Sequence, residues 1–161
     1  LRRRTEAMPQ RAPRGQRVYD SAPFGHWCTT TMLCSIRLDG SSASMLLEGP
    51  IDAEAFQAYV REVLLPTLRA GDWVVLDNQS PHKTPANIAL MESTGAKVLF
   101  LPAYSPDFNP IEKMWSKIKA YLRAYKARTQ DALLYAVRLA LASVTPDDAA
   151  GWFASCGYGI S

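Results

Sequence analysis

The run Trp73-Val74-Val75-Leu76, four apolar residues closed by Asp77, constrains the fold more than any other stretch of the chain. It offers no polar position to solvent, so it reads as a short strand buried on both faces. Thr84-Pro85 then opens a helix with proline in its first turn, and Gly95 stands just past its end. Lys97 to Leu101 is the next apolar strand. Strand, helix and strand over about 30 residues make a βαβ unit, so the two strands should lie parallel with a right-handed crossover. Asp77 falls at the carboxyl end of the first strand, where open α/β sheets hold their ligands.

The flanking sequence completes an α/β domain. Residues 1–26 carry Pro9, Pro13, Pro23, Gly15 and Gly25 and read as an irregular basic arm. β-branched residues between Trp27 and Leu38 predict a strand, Asp39-Gly40 a hairpin turn, and Ser44 to Leu47 the returning strand. Asp52 can cap a helix reaching Leu68, with Phe56, Tyr59, Val60, Val63 and Leu64 as its apolar stripe. Asn109-Pro110 starts the strongest helix, which runs to Tyr125 and buries Ile111, Met114, Trp115, Ile118, Tyr121, Leu122 and Tyr125. A further helix is expected over 129–143 and a short one from Pro146 to Phe153. The predicted architecture is a mixed sheet flanked by helices over residues 27–145, preceded by the arm and followed by a C-terminal helix and tail over 146–161.

Charge is unevenly spread. Residues 1–18 hold six arginines against Glu6, and residues 113–130 hold six cations and no acid, so the remainder of a chain with net charge +3 is acidic. Basic segments on an acidic domain suit a phosphate-backbone partner, although a solvated helix face and a frayed terminus give the same pattern. With 48% hydrophobic and 20% charged residues the composition is globular. No apolar run approaches the roughly 20 residues of a membrane helix, and no hydrophobic signal segment follows Arg2-Arg3-Arg4, so a cytoplasmic protein is expected. Cys28, Cys34 and Cys156 have no metal-ligand or redox spacing and read as reduced structural thiols.

Two acids could do chemistry. Glu112 lies in the first turn of the long helix, with 34 residues between it and Asp77. If that helix packs on the sheet, the two carboxylates converge on one position suited to Mg²⁺ or Mn²⁺. Ser116, Lys119 and Arg123 follow Glu112 at steps of four, three and four, and so share its face. Structural explanations compete. Asn109 with Glu112 has capping-box spacing, and Asp77-Asn78 could be an ordinary turn.

The stretch Leu76-Asp77-Asn78-Gln79-Ser80-Pro81-His82-Lys83 resembles the second-aspartate motif of bacterial insertion-sequence transposases of the mariner-related superfamily. Leu101-Pro102-Ala103-Tyr104-Ser105-Pro106-Asp107-Phe108-Asn109-Pro110-Ile111-Glu112 resembles the motif around their final glutamate. Weaker similarity reaches Arg11-Ala12-Pro13-Arg14-Gly15, Gly25-His26-Trp27 and the closing Trp152-Phe153 with Cys156-Gly157-Tyr158, and so covers nearly the whole chain. The resemblance implies an RNase H-like fold and three carboxylates with two divalent metals, Mg²⁺ or Mn²⁺, which cut one DNA strand and join its 3′ end to a target. It gives Asp77 and Glu112 the second and third metal-ligand roles and makes Asn78 and His82 supporting residues. Lys83, Lys119, Arg123, Arg11 and Arg14 become DNA contacts. The partners it implies are transposon ends and target DNA, with room for a homodimer and no call for a membrane or a small-molecule cofactor.

The family's first aspartate stands on its first strand, ahead of the Arg-Pro-Arg-Gly segment, and here that segment begins at Arg11. Glu6, Asp20 and Asp39 are poor substitutes, and the helix-turn-helix domains that recognise terminal repeats have no counterpart in these residues. The expectation is a truncated copy, or a separately translated half of a split gene, that lacks the sheet's first strand and cuts DNA weakly or not at all by itself. Two alternatives stand beside this. One is a non-enzymatic DNA-binding or dimerising remnant. The other is an unrelated two-carboxylate hydrolase such as a glycosidase, which would have no need of six cations in the 113–130 stretch.

Overall fold

A computed structural model describes residues 30–159 of the 161-residue chain. The basic arm with Arg11 and Arg14, the acids Glu6 and Asp20, Cys28, and the start of the strand expected from Trp27 lie outside the described residues. Strand β1 (Thr30–Ile36) pairs antiparallel with β2 (Ser42–Glu48), in a register running from Thr30 opposite Glu48 to Ile36 opposite Ser42. The expected turn joins them. Asp39 Oδ1 accepts from the Ser41 amide at 2.8 Å and from its hydroxyl at 2.6 Å. Gly40 takes φ +83°, and a Cβ there would stand 3.0 Å from the Thr145 carbonyl oxygen, so both conformation and contact call for glycine.

Helix α1 (Ala53–Tyr59) starts at Asp52, whose carboxylate accepts from the Ala55 amide at 2.7 Å. It continues as a π-helical turn, Val60–Leu64, and a 3₁₀ turn, Leu65–Thr67. Pro66 has no N–H to close the regular ladder, and the helix changes pitch around it. Strand β3 (Trp73–Leu76), helix α2 (Pro85–Glu92) and strand β4 (Lys97–Phe100) form the predicted unit, with β3 and β4 parallel. Helices α3 (Pro110–Tyr125), α4 (Gln130–Ala142) and α5 (Pro146–Ser155) follow, all within a few residues of expectation.

Two cores meet on β1. Leu33 packs with Phe56, Tyr59, Val60, Val74 and Met91, while Met32 packs with Met114, Ile118, Leu122, Ala136 and Val137. Neighbouring strand residues face opposite ways, so the hairpin is covered by α1 on one side and by α3 and α4 on the other.

Three expectations need correction. Among the described residues the strands do not form one mixed sheet; β1–β2 and β3–β4 are separate two-stranded sheets. Among the described residues nothing pairs with the facing edges of β1 and β3, and a cleft of about 840 Å³ lies between them. For the same reason β3 is not buried on both faces. Val74 is buried, but Trp73 is 62% exposed and carries the Lys97 ammonium 5.0 Å from its ring centroid. Tyr125, expected in the α3 stripe, is exposed at the helix end and stacks on Tyr121.

Helix α5 is tied down electrostatically. Thr145 and Asp148 form a capping box, and Asp148 also pairs with Lys117 of α3, whose ammonium donates to the Ser143 carbonyl at 2.7 Å. Lys117 is therefore withdrawn from the free cations of the basic stretch. These partners, the Lys117 ammonium first, hold the Asp148 carboxyl at about 2 against an ordinary 3.8. A depressed folded-state pKa stabilises above the unfolded value and is lost as pH falls through the folded one. Melting temperature should therefore fall between about pH 4 and pH 2 in the native chain. Asp148→Asn should lower it at pH 7 and flatten that part of the profile, as read by circular dichroism.

Candidate active site

Asp77 is the first residue after β3, half-buried at the carboxyl end of the strand. The next turn folds back on it. The Gln79 amide donates to Oδ1 at 3.3 Å and the Gln79 side chain to Oδ2 at 2.9 Å. His82, from the 3₁₀ turn Ser80–Lys83, places Nδ1 2.5 Å from Oδ1. That nitrogen is sealed from solvent and makes no well-aligned hydrogen bond among the described residues, while its ring packs tilted on Phe56 with centroids 4.3 Å apart. Burial works against the charged carboxylate, but the His82 ring and the Gln79 donors outweigh it and hold Asp77 below its ordinary range. His82 thus lies between Asp77 and Phe56.

Glu112 sits in the first turn of α3, exposed, with its backbone amide donating to the Asn109 carbonyl at 3.1 Å. Asn109 is the N-cap residue, yet its side chain makes no capping bond. The capping-box explanation of Glu112 therefore fails. Among the described residues its carboxylate enters no ion pair, while the positive end of the helix stabilises its charge.

Asp77 and Glu112 line the same cleft, the 840 Å³ space between the two sheets. They also line a second space of about 460 Å³, floored by Asn78, Leu101 and the loop Pro102–Pro106. The two spaces meet at Asp77, Gln79, Asn109 and Glu112. Two carboxylates free of lysine and arginine are a donor set that Mg²⁺ takes, with water and phosphate oxygens completing the shell. Among the described residues no group of three His, Cys, Asp or Glu side chains is placed to hold a metal, so a second ion has no complete ligand set here.

Asp39 does not supply the third ligand. Its carboxylate is engaged by Ser41. It also belongs to the far end of the cleft, where Arg37 forms a bidentate pair with Asp72 at 2.8 and 2.9 Å. Asp77 is five residues further along β3, roughly 16 Å at strand rise.

Of the remaining predicted residues, Asn78 is exposed and lines the outer space. Lys83 is exposed but lines neither. Ser116, Lys119 and Arg123 are all exposed on the α3 face that Glu112 begins. The sequence reading overlooked Tyr104, which is fully exposed at the outer space with φ +58°. A non-glycine residue in that conformation is uncommon and often marks a functional loop. Only an aromatic between two prolines hinted at it. Phe153 and Tyr158, quoted above only for weaker similarity, were given no role either. They join Trp115 in lining the main cleft, and the Tyr158 hydroxyl donates to the Phe108 carbonyl at 2.9 Å.

Removing the His82 ring leaves a hole beside Phe56 and strips Asp77 of its inner partner. His82→Ala should lower stability by about 1–3 kcal/mol in urea unfolding. Glu112→Gln, at a carboxylate with no partner, should change it by less than about 0.5 kcal/mol.

Residues 1–134 match the family model of the DDE superfamily endonucleases. Over 83 residues the chain is 28% identical to a transposable element Tcb1 transposase of Caenorhabditis briggsae, a match covering 49% of this chain and 30% of that protein. The chain thus spans under a third of the curated relative it matches. With a family match across most of its length, the chain belongs to the DDE superfamily endonucleases.

Proposed function

We propose that this chain is the larger part of the catalytic domain of a DNA transposase, with an RNase H-like fold and a metal-dependent strand-cutting and strand-joining activity. The observation that carries this reading is the meeting of Asp77 and Glu112 at one cleft beside a cationic helix face. In this reading Asp77 and Glu112 hold a divalent cation, Mg²⁺ or Mn²⁺. Bound there, such an ion activates water and stabilises the leaving oxygen at a phosphodiester. His82 and Gln79 keep Asp77 ionised and oriented, so the strand end presents a charged oxygen at neutral pH. Lys119 and Arg123, about two and three turns beyond Glu112, hold the DNA backbone through its phosphates. Transposon ends and target DNA are the proposed substrates, and a homodimer and a cytoplasmic setting fit the same reading.

The described residues contribute two carboxylates where this chemistry uses three, which favours a chain that binds metal and DNA but does not cut alone. Supercoiled plasmid with Mn²⁺ and the purified chain should stay intact, while Mn²⁺ titration should show binding that Asp77→Asn and Glu112→Gln each weaken at least tenfold. Nicking that vanishes in Glu112→Gln would refute the incomplete site and send the search for a third ligand to Asp20 and Glu6. Absence of Mn²⁺ binding in the folded chain would refute the metal site itself.

The DNA face has its own readout. Each phosphate contact contributes roughly 0.9 to the slope of log affinity against log salt. Lys119→Ala with Arg123→Ala should weaken duplex binding and reduce that slope by about 2 in fluorescence anisotropy. An unchanged slope would place the DNA elsewhere.

A further inference from the structure

We propose that Tyr104 is a stacking platform for one unpaired DNA base, next to the phosphodiester held at Asp77 and Glu112. The inference deepens the DNA reading given above and rests on it. Tyr104 is fully exposed among the described residues, and its backbone is left-handed, with φ +58°. Glycine or asparagine would take that conformation with less strain, and neither would add apolar area. The ring therefore contributes nothing to the packing of the described residues, and its position has to be explained by something outside them.

The loop that carries the ring runs from one carboxylate to the other. It leaves the sheet where the Leu101 amide donates to the Leu76 carbonyl at 2.8 Å, one residue before Asp77. It ends at Asn109, the N-cap of α3, three residues before Glu112. The stretch between is braced. The Asn109 amide donates to the Pro106 carbonyl at 3.0 Å, the Ser105 hydroxyl to the Ala103 carbonyl at 3.3 Å, and the Tyr158 hydroxyl to the Phe108 carbonyl at 2.9 Å. Pro102 and Pro106 remove backbone freedom on either side of the ring. Tyr104 is thus held in a fixed relation to both carboxylates, and it lines the 460 Å³ space that they also line.

That space falls within the roughly 300–1,000 Å³ of small-ligand sites. Its lining suits a nucleobase, with Leu101, Pro102 and Ala103 to meet an apolar face and Asn78 to meet a polar edge. In a duplex the bases lie inside the stack and the phosphates outside. A ring beside the phosphate site can therefore meet only a base that has left the stack, such as a terminal or extruded base at a cut end. Every base has a π-face, so this contact favours open DNA over paired DNA without reading sequence. Lys119 and Arg123 act on phosphates, which paired and open DNA both carry. Phe108 is exposed in the same loop but lines neither space, so the platform is assigned to Tyr104 alone.

The test compares the full chain with its Tyr104→Asn and Tyr104→Phe variants on two DNAs, a duplex with a short single-stranded 3′ overhang and the same duplex made blunt. Asparagine keeps the left-handed backbone and removes the ring, while phenylalanine keeps the ring and removes the hydroxyl. In fluorescence anisotropy Tyr104→Asn should weaken binding of the overhang DNA about tenfold, the effect of one stacked base, and leave the blunt duplex unchanged. Tyr104→Phe should bind both as the native chain does. The slope of log affinity against log salt should be the same in all three, because the ring neutralises no phosphate. An iodouracil placed in the overhang should photocrosslink to Tyr104, as mapped by mass spectrometry. Equal losses on both DNAs, a Tyr104→Phe variant as weak as Tyr104→Asn, or a crosslink at Phe108 in place of Tyr104 overturns the platform. Native affinity of Tyr104→Asn for the overhang DNA also overturns it, and leaves standing the DNA reading, which is tested by the salt slope at Lys119 and Arg123. Failure of the native chain to bind either DNA overturns that reading, and the platform falls with it.

Discussion

Strand β1 has to satisfy two cores at once, and the rest of the molecule is arranged around that demand. Met32 and Leu33 are adjacent in sequence, each under 10% exposed, and each belongs to a different cluster. A strand can do this because its side chains alternate, so one seven-residue segment joins the α1 layer to the α3–α4 layer. Slipping its register by one residue would exchange the two sets and spoil both cores. The hairpin turn fixes that register, through the Asp39–Ser41 bonds and the glycine conformation at Gly40. The same turn lies against the start of α5. The layer carrying Glu112 and the layer carrying Asp77 are thus held in relation through β1.

Much of this was legible in the sequence. Capping residues and proline placement gave the helices, because an N-cap aspartate or an N1 proline acts over only one turn. Asp52, Thr84-Pro85, Asn109-Pro110 and Thr129 all mark real helix starts. The parallel β3–β4 pair was legible because a short apolar strand, a helix and another apolar strand have few ways to pack. Positions that depend on tertiary context were not. Trp73 is apolar but exposed, since burial of a strand face depends on what lies beside it, and pattern alone does not supply that. Nor does periodicity tell whether two strand pairs share hydrogen bonds, so one mixed sheet was expected where two small ones stand among the described residues. Lys117 looked like its cationic neighbours and turned out to be committed to Asp148, a partner 31 residues away.

The candidate site divides in the same way. Asp77 and Glu112 could be named from local position alone, one at a strand end and one in a first helical turn. His82 was named with less reason, and its position beside Asp77 depends on Phe56, from α1, packing against the ring. Tyr104 had only a faint local signal, because a left-handed backbone at a non-glycine residue is not written in the residue type. Cys34, by contrast, is explained away. Burial pushes its thiol up to about 12, so at neutral pH it carries no thiolate and behaves as a small apolar residue.

The contrast between the two carboxylates is itself informative. Asp77 accepts one hydrogen bond at each oxygen from Gln79 and lies against the His82 ring, which fixes it before any ligand arrives. Glu112 is left unengaged, although a capping asparagine stands three residues before it and could have drawn it into a reciprocal bond. A purely structural glutamate at that position would gain by closing the box. Leaving both residues unbonded costs stability that each partner could have supplied, roughly 0.5–2 kcal/mol for a lost N-cap. A helix start that forgoes its cap keeps a negative charge available at the mouth of a cleft. One carboxylate fixed and one free is the arrangement expected where a cation must enter, be held and leave.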